Sequence, residues 1–191
     1  MAIKAVIFDC FGVLVVDGKD TLRHDFPDHV QDIHDIFLRS DYGYISGNEQ
    51  TAQLAELTGL SVSDLEKRYK HKNVLNQAVV MWVHQVKDSG LAVGLLSNIR
   101  RDGLEEFFPR VDREKLFNAE VLSGDVGVTK PSVRIFEMMA ERLHLDPSEC
   151  VMIDDLLKNT DGAERAGMHG ILLDTVRQAQ ADLDRIVSEY A

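Results

Sequence analysis

Three nearly continuous apolar runs stand out in the pattern of hydrophobic and polar positions along the chain. They lie at 3–8, 91–96 and 150–153. Strands with one face in water alternate between apolar and polar residues, whereas continuous apolar runs are typical of parallel strands covered on both faces. Shorter apolar runs at 117–122 and 170–173 are further candidate strands.

Apolar residues at helical spacing lie between these runs. The stripes comprise Leu75, Ala78, Val79, Trp82, Val83 and Val86; Ile135, Met138, Met139 and Leu143; and Val176, Ala179, Leu183, Ile186 and Val187. From Leu91 onward, strands and helices therefore alternate along the chain. This order predicts an α/β fold, in which right-handed crossovers build a Rossmann-like parallel sheet with helices on both faces.

The stretch 17–88 breaks the alternation. It contains helical periods and a helix-start pattern, Ser46 followed by Glu49, but no clear strand. We therefore predict a core domain formed by 1–16 and 89–191, and a helical cap domain formed by 17–88. Open α/β sheets bind ligands at the carboxyl ends of their strands, so a cap inserted after the first strand is placed to act as a lid.

Composition narrows the range of partners. The chain has 191 residues, of which 45% are apolar, and a net charge of -11. This charge argues against nucleic acid or an anionic membrane as the main partner, although one bound cation would allow a small anionic substrate. The two cysteines show neither metal-ligand nor disulfide spacing, which indicates a reducing, cytoplasmic setting. The first apolar run is too short for a signal peptide or a membrane span, and no pattern indicates an oligomeric state.

Polar residues that are candidates for catalysis or ligand binding follow the first two apolar runs. Asp9 directly follows the first run, and Gly12 allows a tight turn after it. Taken alone, a carboxylate at a strand end is as typical of a turn or a cap. Ser97 and Asn98 follow the second run, where they would either start a helix or direct a hydroxyl and backbone N–H groups at an anion.

Two further segments lie near later strands. Lys130 precedes Pro131, which suits the first position of a helix, so the lysine lies beside the positive end of the helix dipole. Asp154 and Asp155 follow the third run. Adjacent carboxylates repel each other there unless a cation or hydrogen-bond donors compensate, and Mg²⁺ is a hard cation that suits them.

Together these segments supply the parts that phosphoryl transfer requires. Positioned donors and cations neutralise charge on the phosphoryl oxygens, and a carboxylate such as Asp9 can act as nucleophile through an aspartyl-phosphate intermediate. The pattern predicts a small phosphorylated metabolite as substrate, because the predicted cap is modest in size.

The sequence resembles the haloacid dehalogenase-like (HAD) hydrolase superfamily, and within it the small sugar-phosphate phosphatases of the glucose-1-phosphatase type. The resemblance covers the core and rests on four motifs in order. They are Phe8-Asp9 with Gly12-Val13; Leu96-Ser97-Asn98; Lys130-Pro131; and Asp154-Asp155 with Asn159, Gly162, Ala163 and Gly167. The stretch predicted as a cap matches the family's helical cap by position and type.

The resemblance implies a nucleophile and a metal site. Asp9 would attack phosphorus with one carboxylate oxygen. Its other oxygen, the backbone carbonyl of Phe11 and Asp155 would hold Mg²⁺, with Asp154 close to the metal or its waters. Asn159 would orient the loop that carries Asp155.

The resemblance also implies a phosphate site. Ser97 and the backbone of Asn98 would bind phosphoryl oxygens, and Lys130 would pair with both Asp9 and the phosphoryl group. A phosphoric monoester hydrolase is the activity expected from this set.

Phe11 departs from the family pattern. Typical phosphatases of the family carry a second aspartate two positions after the nucleophile, where it protonates the leaving group and then activates water. Such help is worth about 10²–10⁴-fold in rate, and Phe11 provides none. We therefore expect either a substrate with a good leaving group, such as an anomeric sugar phosphate or an acyl phosphate, or a slow reaction. Asp17 and His24 are the alternative acids.

Two other functions fit part of the pattern. A 2-haloacid dehalogenase also has an aromatic residue at the place of Phe11, but it needs no metal and has uncharged residues in place of Asp154 and Asp155, so the acidic pair favours the phosphatase. A catalytically weak pseudo-enzyme that binds a phosphorylated ligand would explain Phe11 but not the presence of the other motif residues. Metal dependence and turnover distinguish the three functions.

Overall fold

The computed structural model describes residues 2–16, 19–69, 74–101, 103–105 and 108–190. Its strands are β1 (Ala5–Phe8), β2 (Val15–Val16), β3 (Val74–Leu75), β4 (Ala92–Ser97), β5 (Ala119–Leu122), β6 (Cys150–Asp154) and β7 (His169–Leu172). Five of them form a parallel sheet in the order β5-β4-β1-β6-β7, within the described part of the chain. The predicted parallel sheet is therefore confirmed, with β1 at its centre.

The helices surround this sheet and extend above it. They are α1 (Lys19–Asp25), α2 (Val30–Asp41), α3 (Gly47–Thr58), α4 (Val62–Tyr69), α5 (Gln77–Asp88), α6 (Arg110–Leu116), α7 (Ser123–Val126), α8 (Val133–Leu143), α9 (Leu157–Arg165) and α10 (Val176–Glu189). Among the helices of the described ranges, none combines the length and the apolar character that crossing a bilayer requires.

Two apolar clusters cover the two faces of the sheet. Successive side chains of a strand point to opposite faces, so Phe8 packs in one cluster and Ile7 in the other. The Phe8 cluster includes α5 and α10, and the Ile7 cluster includes α8 and α9. Helices on both faces explain why the strands are apolar throughout, and they confirm the predicted fold class.

The parallel register brings the strand ends to one edge of the sheet. Phe8 lies level with Leu95 of β4 and with Ile153 of β6. Asp9 is therefore level with Asp154, and Ser97 lies one position beyond Leu96. The motif residues of three separate segments thus meet at the carboxyl edge, as expected for ligand sites of open α/β sheets.

A third apolar cluster is formed by helices α1 to α4. It is built around Leu22, Ile33, Leu54 and Leu65, which are fully buried. The short strands β2 and β3 pair antiparallel and bring the chain ends of this helical unit together. The sequence pattern showed no strand at Val74–Leu75, because two residues are too few for a period to be visible.

Helix α5, which was expected in the cap, packs against the sheet. The apolar stripe of α5, which includes Trp82 and Val83, packs in the same cluster as Phe8 of the central strand. Helix α5 therefore belongs with the sheet. The sequence analysis assigned α5 to the cap because it precedes the first strand of the alternating part, although its stripe has the width of a core-facing helix. Division into core and cap remains a proposal, with the cap ending before α5.

Candidate active site

Asp9 is the residue that follows β1, and its side chain is buried at the carboxyl edge of the sheet. Its Oδ1 accepts a hydrogen bond from the backbone N–H of Cys10 at 2.6 Å and lies 2.7 Å from Nζ of Lys130. Burial, followed by the nearby charge of Asp154, raises the pKa of Asp9 well above its usual value, while Lys130 opposes the rise. Lys130 is therefore the group that favours the ionised form of this carboxylate.

Lys130 lies between two carboxylates. Its buried Nζ is 2.7 Å from Oδ1 of Asp9 and 2.6 Å from Oδ2 of Asp154. Burial lowers the pKa of Lys130, but the two carboxylates raise it by more, so that it lies above its usual value. The ammonium thus stays protonated and carries a positive charge beside Asp9.

The side chain of Asn98 holds the backbone of Lys130 in place. Its Nδ2 donates to the carbonyl of Lys130 at 3.0 Å, and its Oδ1 accepts from the N–H of Lys130 at 2.8 Å. This reciprocal pair connects the end of β4 to the loop before α8. Sequence reasoning considered only the backbone of Asn98, and phosphate binding by that backbone remains a prediction.

The acidic pair lies at the end of β6, and its two members have different environments. Asp154 is fully buried, and its Oδ1 accepts hydrogen bonds from Nδ2 of Asn159 at 2.9 Å and from the N–H of Leu156 at 3.0 Å. Asp155 is half-buried and faces the cavity. Asn159 was expected to support the loop carrying Asp155; its hydrogen bond goes to Asp154, the first residue of the pair.

Three carboxylates lie together at this edge. Asp9, Asp154 and Asp155 each place one oxygen within 4.8 Å of the others. Gly12 approaches them closely, because a Cβ built on it would lie 2.1 Å from Oδ2 of Asp155. Its φ of +87° is also a conformation that side chains disfavour. Glycine is therefore required at position 12 if Asp155 is to reach the cluster.

Ser97 is the last residue of β4 and is fully buried. Its Oγ makes no hydrogen bond to any residue in the described ranges. A buried hydroxyl without a hydrogen-bond partner costs free energy. A hydrogen bond from this hydroxyl to a ligand oxygen would offset that cost. Ser97 does not itself line the cavity, whereas its neighbour Asn98 does.

A cavity of about 660 Å³ opens over these groups. Its floor includes Asp9, Lys130 and Asp155, and its roof belongs to α1 and α2. The roof residues are Arg23, His34, Phe37, Leu38, Asp41 and Tyr42. Sequence reasoning missed them, although His34, Phe37, Leu38 and Asp41 have the i, i+3, i+4, i+7 spacing of one helical face.

The described residues place neither alternative acid at the cavity. Asp17 lies outside the described residues. The side chain of His24 is 90% exposed and contacts Asp25, while its neighbour Arg23 lines the cavity. Phe11 lines the cavity as well and packs against the core cluster.

The fold and the site define the class of protein: a hydrolase with a Rossmann-like core and a buried carboxylate at the end of its central strand. The model of the haloacid dehalogenase-like hydrolase family matches residues 3–167, and the chain belongs to that family. The family resemblance seen in the four motifs is therefore confirmed.

Individual relatives agree with the family. The chain is 31% identical over 204 residues to acyl-CoA dehydrogenase family member 10 of Mus musculus, covering 96% of this chain but only 19% of that protein. It is 25% identical to the putative phosphatase YhcW of Bacillus subtilis (strain 168), covering 90% of this chain and 83% of the relative. A HAD family enzyme of Bacteroides thetaiotaomicron, crystallised as a magnesium complex, has the same fold, with a TM-score of 0.77 at 22% identity, covering 93% of this chain and 98% of that structure.

Proposed function

We propose that the protein is a magnesium-dependent phosphatase that hydrolyses a small phosphorylated metabolite through an aspartyl-phosphate on Asp9. The observation that carries this proposal is the contact of Lys130 with both Asp9 and Asp154, which together with Asp155 form a cluster of three carboxylates. A nucleophile, a fixed cation and a set of hard oxygen ligands then lie within one cavity, as phosphoryl transfer requires. The relatedness to a putative phosphatase supports the same activity.

The carboxylate cluster fits Mg²⁺. Oxygen ligands from few carboxylates are the preference of this ion. The single positive charge of Lys130 is shared by Asp9 and Asp154, so it does not balance the charge of three carboxylates. A divalent cation would reduce the repulsion that remains among them. Asp9, Asp155 and the backbone carbonyl of Phe11 would hold the ion, with Asp154 close by. When bound, Mg²⁺ would neutralise negative charge on the phosphoryl group.

Each of these residues then has a separate role in phosphoryl transfer. Asp9 attacks phosphorus, and the bond from phosphorus to the leaving oxygen breaks with its electron pair on that oxygen. Ser97 Oγ, the backbone of Asn98 and Lys130 Nζ bind the phosphoryl oxygens. Because Phe11 cannot donate a proton, the leaving oxygen takes its proton from solvent, and water afterwards cleaves the aspartyl-phosphate.

A small substrate suits the cavity. Its volume of about 660 Å³ is within the range of pockets that enclose small ligands. Helices α1 and α2 cover it, so the part of the substrate beyond the phosphoryl group lies between the sheet edge and these helices. A macromolecular ester would require the two helices to move apart.

The test is phosphate release from a panel of phosphorylated metabolites with and without Mg²⁺. We expect release that depends on Mg²⁺ and that is lost in Asp9→Asn, a variant of matched size that removes the nucleophilic carboxylate. Halide release from 2-haloacids without metal would instead identify a dehalogenase. Binding of phosphorylated compounds without any turnover would identify a pseudo-enzyme.

A further inference from the structure

Apolar and aromatic residues line part of the cavity, although the site handles a charged group. Five of the lining residues belong to this set, which we call the apolar wall: Phe11, Phe37, Leu38, Tyr42 and Leu156. They come from three segments, which are the loop after β1, the cavity-facing side of α2 with its C-terminal cap, and the loop after β6. The wall therefore exists only because the fold brings these segments together.

Two apolar residues of the wall lie between two polar residues along α2. His34 and Asp41 lie at the two ends of the cavity-facing stretch, and Phe37 and Leu38 lie between them. A ligand group packed against the middle of this stretch would contact carbon atoms rather than charges. Hydroxyls of a sugar ring that face the side chains of Phe37 and Leu38 would find no hydrogen-bond partner on them.

Two leucines of the wall are partly exposed. Leu38 is 38% exposed and Leu156 is 45% exposed, although both lie beside the cavity. Apolar surface left in water costs about 25 cal/mol per Å². A ligand that covers both leucines would regain that free energy.

Phe11 makes a second, independent demand on the substrate. It lies near Asp9 and has no proton to donate, so a leaving oxygen that is stable as an anion is favoured. A phenolic oxygen does so readily, because the pKa of a phenol such as the tyrosine side chain is about 10. The same aromatic ring that stabilises the departing oxygen also matches the apolar wall.

We propose that the substrates of this site are aryl phosphate monoesters, with the aromatic leaving group packed against the apolar wall. This inference rests on the proposed phosphatase function. Asp9 forms its bond to phosphorus while the bond from phosphorus to the aryl oxygen breaks, and the electron pair of that bond leaves with the aryl oxide. Solvent protonates the aryl oxide, and water then releases inorganic phosphate and restores the carboxylate.

Four substrates separate the effect of an apolar group from the effect of a good leaving group. Phenyl phosphate and benzyl phosphate both carry an apolar ring, but only phenyl phosphate has a good leaving group. Acetyl phosphate and glycerol phosphate both carry a polar group, but only acetyl phosphate has a good leaving group. We expect kcat/KM to be highest for phenyl phosphate, KM to be low for benzyl phosphate with a small kcat, and KM to be high for acetyl phosphate. If acetyl phosphate equals or exceeds phenyl phosphate in kcat/KM, the aryl inference is wrong while the phosphatase function stands.

Variants of the wall provide the structural test. In Leu38→Ser and in Leu156→Ser, which change exposed side chains, we expect the ratio of kcat/KM for phenyl phosphate to that for acetyl phosphate to fall roughly tenfold, as the loss of about two methylene-sized contacts predicts. The control is Val62→Ser, because Val62 is 48% exposed on α4 and does not line the cavity. An unchanged ratio in both leucine variants would overturn the inference.

A binding measurement covers the case in which no ester is hydrolysed. That result would refute the proposed function and leave the wall to be tested without turnover. Calorimetry in the presence of Mg²⁺ would then compare phenylphosphonate with methylphosphonate, which share the anionic group and differ in the ring. Tighter binding of phenylphosphonate would support the aromatic preference, and equal binding would refute it.

Discussion

Close contacts between individual residues determine the geometry of the candidate site. Lys130 bridges Asp9 and Asp154 by contacting both, the side chain of Asn98 holds the backbone of Lys130, and Gly12 leaves room for Asp155. Each of these residues acts on a neighbour's position or charge. Substitutions at this scale are therefore expected to have large effects, which two predictions specify.

The first prediction concerns Gly12→Ala. The new Cβ would overlap the carboxylate of Asp155 and push it out of the cluster. We expect Mg²⁺ affinity, measured by titrating activity with the ion, to fall roughly 10- to 100-fold, as for other losses of support around a metal site. Gly90→Ala is the matched control, since its φ of +93° is similar and nothing lies within 4 Å of the added Cβ. It should lose stability but keep its Mg²⁺ affinity; an equal loss in both variants would contradict the explanation.

The second prediction concerns Lys130→Met. Two buried carboxylates would lose their shared ammonium, and breaking a buried ion pair from one side costs about 3–5 kcal/mol. Urea unfolding without Mg²⁺ should show a loss of this size. Lys4→Met, which breaks a pair at 2.6 Å whose lysine side chain is 56% exposed, should lose much less. Equal losses of unfolding free energy in the two variants would mean that the buried ion pairs of Lys130 stabilise the protein no more than an exposed pair does.

At the scale of elements, capping residues decide where helices begin. Helix α10 begins after Thr175, whose Oγ1 accepts from the N–H of Gln178 at 3.2 Å, while Oε1 of Gln178 accepts from the N–H of Thr175. The same reciprocal arrangement links Ser46 and Glu49 before α3. The Ser46–Glu49 pattern was visible in the sequence, because such a box depends only on residues three positions apart.

The third prediction follows from the cap of α10. Thr175→Ala removes the acceptor and should destabilise the protein by about 1 kcal/mol, which thermal unfolding would detect. Thr175→Ser retains the hydroxyl and should lose less. Phosphatase activity should be unchanged in both, because α10 packs in the sheet's Phe8 cluster and contributes no residue to the cavity lining. A variant that lost activity without losing stability would contradict this assignment.

At the scale of the whole molecule, the charge of -11 and the carboxylate cluster connect metal binding to stability. An ion that binds only the folded chain stabilises it, by about 2.7 kcal/mol at a concentration 100 times its Kd. The unfolded chain does not hold Asp9 near Asp154 and Asp155, since Asp9 is far in sequence from that adjacent pair.

The fourth prediction is therefore that Mg²⁺ raises Tm at constant ionic strength. Sodium chloride at matched ionic strength is the control, because it screens the overall repulsion of an acidic protein without occupying a specific site. The rise caused by Mg²⁺ should be largely absent in Asp155→Asn. An equal rise with both salts would show that screening alone is responsible.

Local patterns in the amino-acid sequence were enough to predict the five strands of the main sheet, their parallel direction and the four segments near their ends. Continuous apolar runs and helical stripes can be read within one element, and right-handed crossovers leave few ways to connect the elements. The placement of Asp9, Ser97 and Asp154 at strand ends follows from these patterns, whereas the order of the strands was given only by the structure.

Which distant side chains meet depends instead on the packing of the folded chain. Packing assigned α5 to the sheet rather than to the cap, paired Lys130 with two carboxylates at once, and turned one face of α2 toward the cavity. Each of these outcomes depends on how whole elements are oriented after they pack, whereas a sequence pattern reports the spacing within one element. The apolar wall, which is assembled from three separate segments, could for that reason be recognised only in the tertiary structure.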